Sequence, residues 1–319
     1  MMAKPKAAFY WAASCGGCEI SLLAIHEKIV EVASAVDIVF WPVAIDVKYK
    51  DVEAMEDKSI DLCMFNGAIR TSENEHLAKL LRRKSKIMVA HGSCAHTGGI
   101  PGLANFTTKE EIFNRAYIDN PSIDNPDGIV PQEKTDVPEG ELVLPKFFNT
   151  VKTLAQTVDV DYFMPGCPPV PEQTLNVFTA ILEGKLPPAG TVIGRDEKTV
   201  CDQCKHEPQQ KNIKEIKRPH EVIIDPDECI LEQGVICMGP ATMAGCGAQC
   251  TSADMPCRGC YGPPLGVSDQ GAKMCSALAS IIDSNDEEEI ARIIETVVDP
   301  AGTFYRFGLP YSTLRRTRT

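Results

Sequence analysis

The sequence predicts an α/β fold in which a doubly wound parallel sheet is followed by a loop-rich, cysteine-rich unit. Over roughly the first 185 residues, apolar strand-like runs alternate with amphipathic patterns, as in a parallel sheet covered by helices. Beyond them the composition changes, and nine cysteines lie between positions 201 and 275 among many glycines and prolines. We therefore expect two domains, residues 1–188 and 189–319.

The predicted sheet has five strands, each an apolar run. They are residues 6–13, 36–43, 60–67, 86–92 and 160–166. Between them, amphipathic stretches predict covering helices at 18–34, 72–85 and 171–184. Residues 100–146 break this alternation with six prolines and the turn pair Asp127-Gly128, which predicts an irregular surface insertion. Near the end of the chain, residues 286–299 predict one more amphipathic helix.

Charge and hydropathy exclude several classes of function. The net charge is −12, from 32 basic and 44 acidic residues, which argues against a nucleic acid or an anionic membrane as the main partner. No apolar run approaches the ~18 residues of a membrane span, and the chain enters its first strand without an export segment. We expect a cytoplasmic protein. In that reducing compartment, fourteen cysteines indicate metal ligation rather than disulfides.

Four cysteines follow the ends of predicted strands. Cys15 and Cys18 come after the first strand in CGGC, Cys94 after the fourth in HGSCAHTGGIPG, and Cys167 after the fifth in PGCPP. Because the carboxyl ends of parallel strands line one crevice, these thiols should meet. Structural zinc usually takes paired C-x-x-C knuckles, whereas two of these ligands are single cysteines on glycine-rich loops. The pattern favours an iron-sulfur cluster, with a zinc-stabilised scaffold as the alternative.

Eight further cysteines make two more sets of four. The first set is Cys201, Cys204, Cys229 and Cys237, and the second is Cys246, Cys250, Cys257 and Cys260. Ligands of neighbouring clusters can interleave along a chain, so the division between the two sets stays open.

The remaining cysteines and three histidines have simpler interpretations. Cys63 and Cys275 stand among aliphatic residues and are expected to pack as small apolar groups. His91 and His96 flank Cys94 and either donate hydrogen bonds near sulfur or are satisfied by backbone carbonyls. His206, shortly after CDQC, is a substitute ligand if one of those cysteines is misassigned.

Four ordered motifs, CGGCE, HGSCAHTGGIPG, PGCPP and the later cysteine series, resemble the small subunit of nickel-iron hydrogenases from residue 6 to about 265. The resemblance implies a flavodoxin-like domain whose proximal cluster, on Cys15, Cys18, Cys94 and Cys167, faces the nickel-iron centre of a separate large subunit. It implies a second domain with a medial cluster on Cys246, Cys250, Cys257 and Cys260 and a distal cluster on Cys201, Cys204, Cys229 and Cys237. All three clusters would be 4Fe-4S.

Within that family, CGGCE and the all-cysteine ligand sets resemble the cytoplasmic, methanogen-type branch. The chain looks most like the methyl-viologen-reducing, deazaflavin-non-reducing hydrogenase, which passes electrons through a small iron-sulfur adaptor subunit to heterodisulfide reductase. The deazaflavin-reducing hydrogenase is the alternative. A second alternative is the cluster-bearing subunit of respiratory complex I, against which the eight later cysteines argue.

Hydrogen splitting is expected on a partner, because the paired C-x-x-C motifs that bind nickel in the large subunit are not recognisable here. The present chain would conduct electrons. Glu19, directly after Cys18, is a candidate for proton transfer near the subunit interface, since a partly buried carboxylate has a raised pKa. Its alternative interpretation is a carboxylate favoured by the dipole at a helix N-terminus.

Overall fold

The computed structural model describes residues 4–209, 213–282 and 284–314. Within these ranges the strands are β1 (Lys6–Trp11), β2 (Asp37–Phe40), β3 (Ile60–Asn66), β4 (Ile69–Thr71), β5 (Ser85–His91), β6 (Lys134–Val137), β7 (Gly140–Val143), β8 (Phe147–Lys152) and β9 (Tyr162–Met164). Five of them form a parallel sheet in the order β2-β1-β3-β5-β9. This is the strand order of flavodoxin-like doubly wound sheets, so the predicted fold class is confirmed.

The helices cover this sheet and then continue into the later part of the chain. They are α1 (Gly17–Leu23), α2 (Lys28–Ala35), α3 (Tyr49–Ala54), α4 (Ser72–Lys84), α5 (Ser93–Thr97), α6 (Lys109–Tyr117), α7 (Pro171–Leu182), α8 (Gln249–Ser252), α9 (Gln270–Ala279), α10 (Glu287–Glu295) and α11 (Pro300–Phe304). Short 3-10 helices lie at Ile100–Phe106, Leu154–Gln156, Val200–Gln203, Gly239–Ala241 and Leu309–Tyr311. The single helix predicted over 18–34 is therefore wrong: it is two helices, separated at His26, whose φ of +58° no α-helix accommodates.

Alternation along the strands builds a core on each face of the sheet. Ala8 and Tyr10 of β1 point to one face, where they pack with Phe65. Ala7 and Phe9 point to the other, where the apolar residues of α7 also pack. Both faces are thus buried, as expected for a parallel sheet between helices. A separate core cluster draws its members from residues 200–309.

The region 100–146, predicted to be irregular, contains more regular structure than expected. It holds the 3-10 helix Ile100–Phe106, helix α6 and the antiparallel hairpin β6-β7. Helix α6 has no buried residue, so no apolar stripe marks it in the sequence. Instead Thr108 caps it, accepting a hydrogen bond from Glu111 N at 3.1 Å.

The C-terminal helix predicted over 286–299 is confirmed as α10, which begins after the N-cap Asp286. The segment after it turns back onto the first part of the chain, where Phe307 O accepts hydrogen bonds from Gly99 N at 3.0 Å and from Thr97 Oγ1 at 2.7 Å. As far as residue 314, this tail packs on its own chain. Among the helices described, none has the length and hydropathy needed to cross a bilayer.

Candidate metal centres

The first group of cysteines follows the carboxyl ends of three strands of the parallel sheet, β1, β5 and β9. Cys18 is in the first turn of α1, and Cys94 is in α5. Ser93 N donates to Gly166 O at 2.8 Å, which ties the turn of Cys94 to the turn of Cys167. Burial, followed by the negative charges of Cys94, Cys167 and Cys15, raises the pKa of Cys18. The turns that carry Cys18, Cys94 and Cys167 therefore lie together at the carboxyl edge of the sheet.

Glycines make room for the sulfurs of this group. A Cβ on Gly92, which has φ +85°, would lie 2.3 Å from Cys18 Sγ. A Cβ on Gly99, with φ +56°, would lie 2.5 Å from Cys94 Sγ. Both positions combine a left-handed backbone with close approach to sulfur, which only glycine tolerates. The glycines of HGSCAHTGGIPG therefore shape the thiol site as well as the turn.

The four cysteines of the first group differ in their exposure to solvent. Cys18 and Cys94 are buried, whereas Cys15 and Cys167 are exposed. The site thus has an inner side enclosed by the chain and an outer side at the surface of the sheet's carboxyl edge.

The second group contains Cys201, Cys204, Cys229 and Cys237. Burial and then the charges of the other three thiols, Cys237 first, raise the pKa of Cys201 to about 12. A Cβ on Gly239 would lie 3.0 Å from Cys201 Sγ and 3.6 Å from Cys237 Sγ. His206, considered above as a substitute ligand, places Nδ1 at 3.4 Å from Cys204 Sγ.

The third group surrounds a cavity of about 180 Å³. The cavity is lined by Cys167 and by all four members of the third group, which are Cys246, Cys250, Cys257 and Cys260. Burial is the main cause that raises the pKa of Cys260 to about 12, and the charges of Cys167, Cys246 and Cys250 add to it.

The third group lies between the other two. Cys167 of the first group lines the same cavity as Cys260 of the third. Cys257 N donates to Cys237 Sγ at 3.2 Å. The third group therefore adjoins both Cys167 of the first group and Cys237 of the second.

All-thiol donor sets, glycines against sulfur and a backbone N–H directed at sulfur suit iron-sulfur clusters. In the ranges 4–209, 213–282 and 284–314, no three His, Cys, Asp or Glu side chains converge to hold a single metal ion.

Glu19 lies beside the first group in a buried polar pocket. Its side chain accepts hydrogen bonds from Trp41 Nε1 and, at 3.1 Å, from Asn66 Nδ2. Burial raises the pKa of Glu19, and these two hydrogen bonds oppose the rise. Glu19 is also in the first turn of α1, so both interpretations made from the sequence fit its position. Trp41 and Asn66 were not expected from the sequence, although Asn66 ends β3 next to the strand-end cysteines.

The other residues singled out above have different environments. Cys63 is fully buried in the sheet, as predicted. Cys275 is exposed on α9, so the prediction that it packs among aliphatic residues is wrong: Met274 and Leu278 are the buried positions of that helix. His91 is fully buried, and neither ring nitrogen has a hydrogen-bond partner in the described residues. Burial lowers the pKa of His91 to about 4.

Comparison with known proteins agrees with this geometry. Residues 15–181 match the family model described as NADH ubiquinone oxidoreductase, 20 Kd subunit. An iron-sulfur subunit of the F420-non-reducing hydrogenase of Archaeoglobus profundus is 43% identical over 98% of both chains. The corresponding F420-non-reducing hydrogenase subunit of Methanothermobacter thermautotrophicus is 39% identical over 97% of this chain and 96% of its own.

Solved hydrogenases share the fold. A chain of an NAD+-reducing [NiFe]-hydrogenase in the H2-reduced state is 28% identical and superposes with a TM-score of 0.50, covering 58% of this chain and 94% of its own. A chain of the [NiFeSe]-hydrogenase of Dm. baculatum, 18% identical, covers 82% of this chain and 96% of its own at the same TM-score. The chain therefore belongs to the 20 kDa-subunit family of NADH ubiquinone oxidoreductase and, within it, to the iron-sulfur subunits of F420-non-reducing hydrogenases.

Proposed function

We propose that this chain is the electron-conducting, non-catalytic small subunit of a nickel-iron hydrogenase. Electrons from hydrogen oxidation in a large subunit would pass through three 4Fe-4S clusters held by the twelve grouped cysteines. The observation that carries the proposal is that the third group adjoins both of the others: Cys167 lines its cavity, and Cys257 N donates to Cys237 Sγ at 3.2 Å. A row of adjacent all-thiolate sites is what electron transfer through a protein requires.

The ligand sets follow the three groups. The proximal cluster would take Cys15, Cys18, Cys94 and Cys167; the medial cluster Cys246, Cys250, Cys257 and Cys260; and the distal cluster Cys201, Cys204, Cys229 and Cys237. We also propose the division into residues 1–188 and 189–319, because the cores on the sheet and the later core draw on different parts of the chain.

The chain's own residues would hold and shield these sites. A bound 4Fe-4S cluster accepts and releases one electron at a time. Burial of Cys18, Cys94 and Cys237 excludes water, while backbone N–H groups near sulfur, such as that of Cys257, favour the more negative state. The exposed Cys15 and Cys167 would face the large subunit, and the exposed Cys201 would lie where electrons leave.

For the acceptor we propose a small iron-sulfur adaptor subunit that delivers electrons to heterodisulfide reductase, in the cytoplasm. The relatives that match nearly the whole chain are named F420-non-reducing, which favours this over the deazaflavin-reducing alternative. A reducing compartment fits fourteen cysteines that are all free thiols.

A second candidate follows from the family match over residues 15–181, namely an electron-transfer subunit of the complex I type without hydrogenase activity. The relatives named as hydrogenase subunits cover the later cysteine groups as well, which favours the first candidate.

Glu19 would move protons away from the large subunit's metal centre. Its carboxylate is buried, has a raised pKa and lies next to Cys18, at the edge that carries the exposed Cys15 and Cys167. A buried carboxylate with a raised pKa at such an edge is suited to proton transfer.

The test is anaerobic purification of the native complex. Iron, nickel and acid-labile sulfide are counted, and hydrogen-dependent reduction of viologen and of the deazaflavin coenzyme are assayed separately. We expect about twelve irons on this chain, four per cluster, and reduction of viologen alone. Deazaflavin reduction would favour the other hydrogenase, and a nickel-free complex inert to hydrogen would favour the complex I type.

A further inference from the structure

A histidine, a lysine and an aspartate meet beside Cys204, outside the cysteine groups themselves. The side chain of His206 is buried, with only 1% of its area exposed. Its Nδ1 lies 3.4 Å from Cys204 Sγ, and its Nε2 lies 3.1 Å from Asp254 Oδ1. Lys205 Nζ approaches the same carboxylate oxygen at 2.7 Å. The imidazole ring is therefore held between the thiol and a carboxylate.

The carboxylate comes from the turn between Cys250 and Cys257. Asp254 has φ +56°, a left-handed conformation that a residue with a side chain rarely adopts, although aspartate tolerates it better than most. Asp254 N donates to Thr251 O at 3.0 Å, which closes the turn. Asp254 thus reaches from the loop of the third group to a ring that contacts the second group.

We propose that His206 tunes the reduction potential of the cluster held by Cys201, Cys204, Cys229 and Cys237, as a positioning residue that acts through Cys204. This inference rests on the ligand set proposed above. A ligating thiolate and a carboxylate both only accept hydrogen bonds, so the ring donates from both nitrogens, Nε2–H to Asp254 Oδ1 and Nδ1–H to Cys204 Sγ. Such a bond is stronger for the reduced, more negative cluster and therefore raises its potential. Asp254 fixes the orientation of the ring.

Two substitutions of His206 test the roles of the two ring nitrogens separately. In His206→Asn, the amide nitrogen takes the place of Nδ1 and keeps a donor toward Cys204. In His206→Gln, the amide nitrogen takes the place of Nε2, so the contact with Asp254 is kept and the donor to sulfur is lost. We expect His206→Gln to weaken reduction of this cluster about tenfold, a fall of about 59 mV for one electron. His206→Asn, which keeps the donor to sulfur but not the positive charge of the doubly protonated ring, should lower the potential by less than His206→Gln does.

A third variant tests the role of the carboxylate. Asp254→Gly removes the acceptor of Nε2 and suits the left-handed backbone, so the turn between Cys250 and Cys257 keeps its conformation. The potential should fall in the same direction as in His206→Gln, by a smaller amount. His220→Gln, at an exposed histidine of the same part of the chain, is the control and should leave all potentials unchanged.

The measurement is an anaerobic redox titration of the purified complex, followed by electron paramagnetic resonance and accompanied by iron counts. The signal that Cys201→Ser alters identifies the cluster. Equal potentials in His206→Gln and wild type, with the iron count intact, would overturn the inference and leave the proposed function standing. A wild-type signal unaffected by Cys201→Ser would instead refute the ligand set on which both rest.

Discussion

At the scale of single residues, Glu19 shows how a small polar pocket changes what a carboxylate can do. Two neutral donors, Trp41 Nε1 and Asn66 Nδ2, hold it inside an otherwise apolar face of the sheet. Burial raises its pKa, and the hydrogen bonds limit that rise. The carboxylate of Glu19 therefore takes up a proton more readily than an exposed glutamate does.

We predict that Glu19→Gln slows hydrogen-dependent viologen reduction about 100-fold, the usual effect of losing a proton-transfer group. Glutamine has the same size but cannot carry the proton, so the iron content should stay at the wild-type value. Glu27→Gln, at an exposed position before α2, serves as the control. A wild-type rate in Glu19→Gln would leave Glu19 with only the role of a carboxylate at a helix start.

The position of Cys15, Cys18, Cys94 and Cys167 after strand ends could be predicted from the sequence, because apolar runs mark the strands that precede them. The hydrogen-bond partners could not. Asn66 and Trp41 reach Glu19 from different strand ends, and Asp254 reaches His206 across 48 positions of the chain. Such contacts depend on tertiary packing. The sequence did not reveal that Cys275 is exposed, because adjacent positions of a helix point in different directions: Met274 faces the core, whereas Cys275 faces outward.

At the scale of elements, the turn from β5 into α5 joins fold and site. Gly92 carries the chain out of the strand with φ +85°, and its missing Cβ leaves space for Cys18 Sγ. The turn from β9 is bound to it, because Gly92 N donates to Met164 O at 2.8 Å. The same few backbone atoms thus end two strands and set the distance between two ligating loops.

We predict that Gly92→Ala removes the proximal cluster, lowering the iron count by about four per chain, because the new Cβ would lie 2.3 Å from Cys18 Sγ. Gly190→Ala is the matched control, since Gly190 has a similar φ of +89° but nothing within 4 Å of the point that a Cβ would occupy. It should cost only the ~1–2 kcal/mol of left-handed strain. Equal iron loss in both variants would assign the effect to strain alone.

Helices and strands were predicted well where the hydrophobic periodicity was strong. They were predicted poorly where the backbone conformation of a single residue ended an element. All five strands of the central sheet were predicted, since each lies in an apolar run of the sequence. The break between α1 and α2 was not, because the amphipathic pattern continues through His26 and hides its left-handed φ. The hairpin β6-β7 was also missed, since its strands are almost entirely exposed and lack apolar alternation.

At the scale of the whole molecule, His91 makes stability depend on pH. Its pKa falls from 6.5 to about 4 on folding, because burial disfavours the charged ring. Between these values the unfolded chain binds a proton that the folded chain does not. The free energy of unfolding therefore decreases as pH falls from 6.5 toward 4, by up to about 1.4 kcal/mol per pH unit.

We predict that His91→Leu removes this part of the acid sensitivity. Its thermal unfolding midpoint, measured anaerobically on the complex, should fall less than that of the wild type between about pH 7 and pH 5.5. At neutral pH the variant should be at least as stable, since neither ring nitrogen of His91 has a partner to lose in the described residues. An unchanged pH dependence would mean that His91 is not neutral in the folded chain.

The return of the C-terminal segment has a consequence for biosynthesis. Phe307 O accepts hydrogen bonds from Gly99 and Thr97, and Pro310 fills the space beside Gly98, around the turn of Cys94. Because chains are synthesised from the N-terminus, the ribosome adds roughly two hundred residues after Cys94 before it reaches Phe307 and Pro310. During translation the turn of Cys94 therefore stays open until residues 307–310 have been synthesised and have left the ribosome.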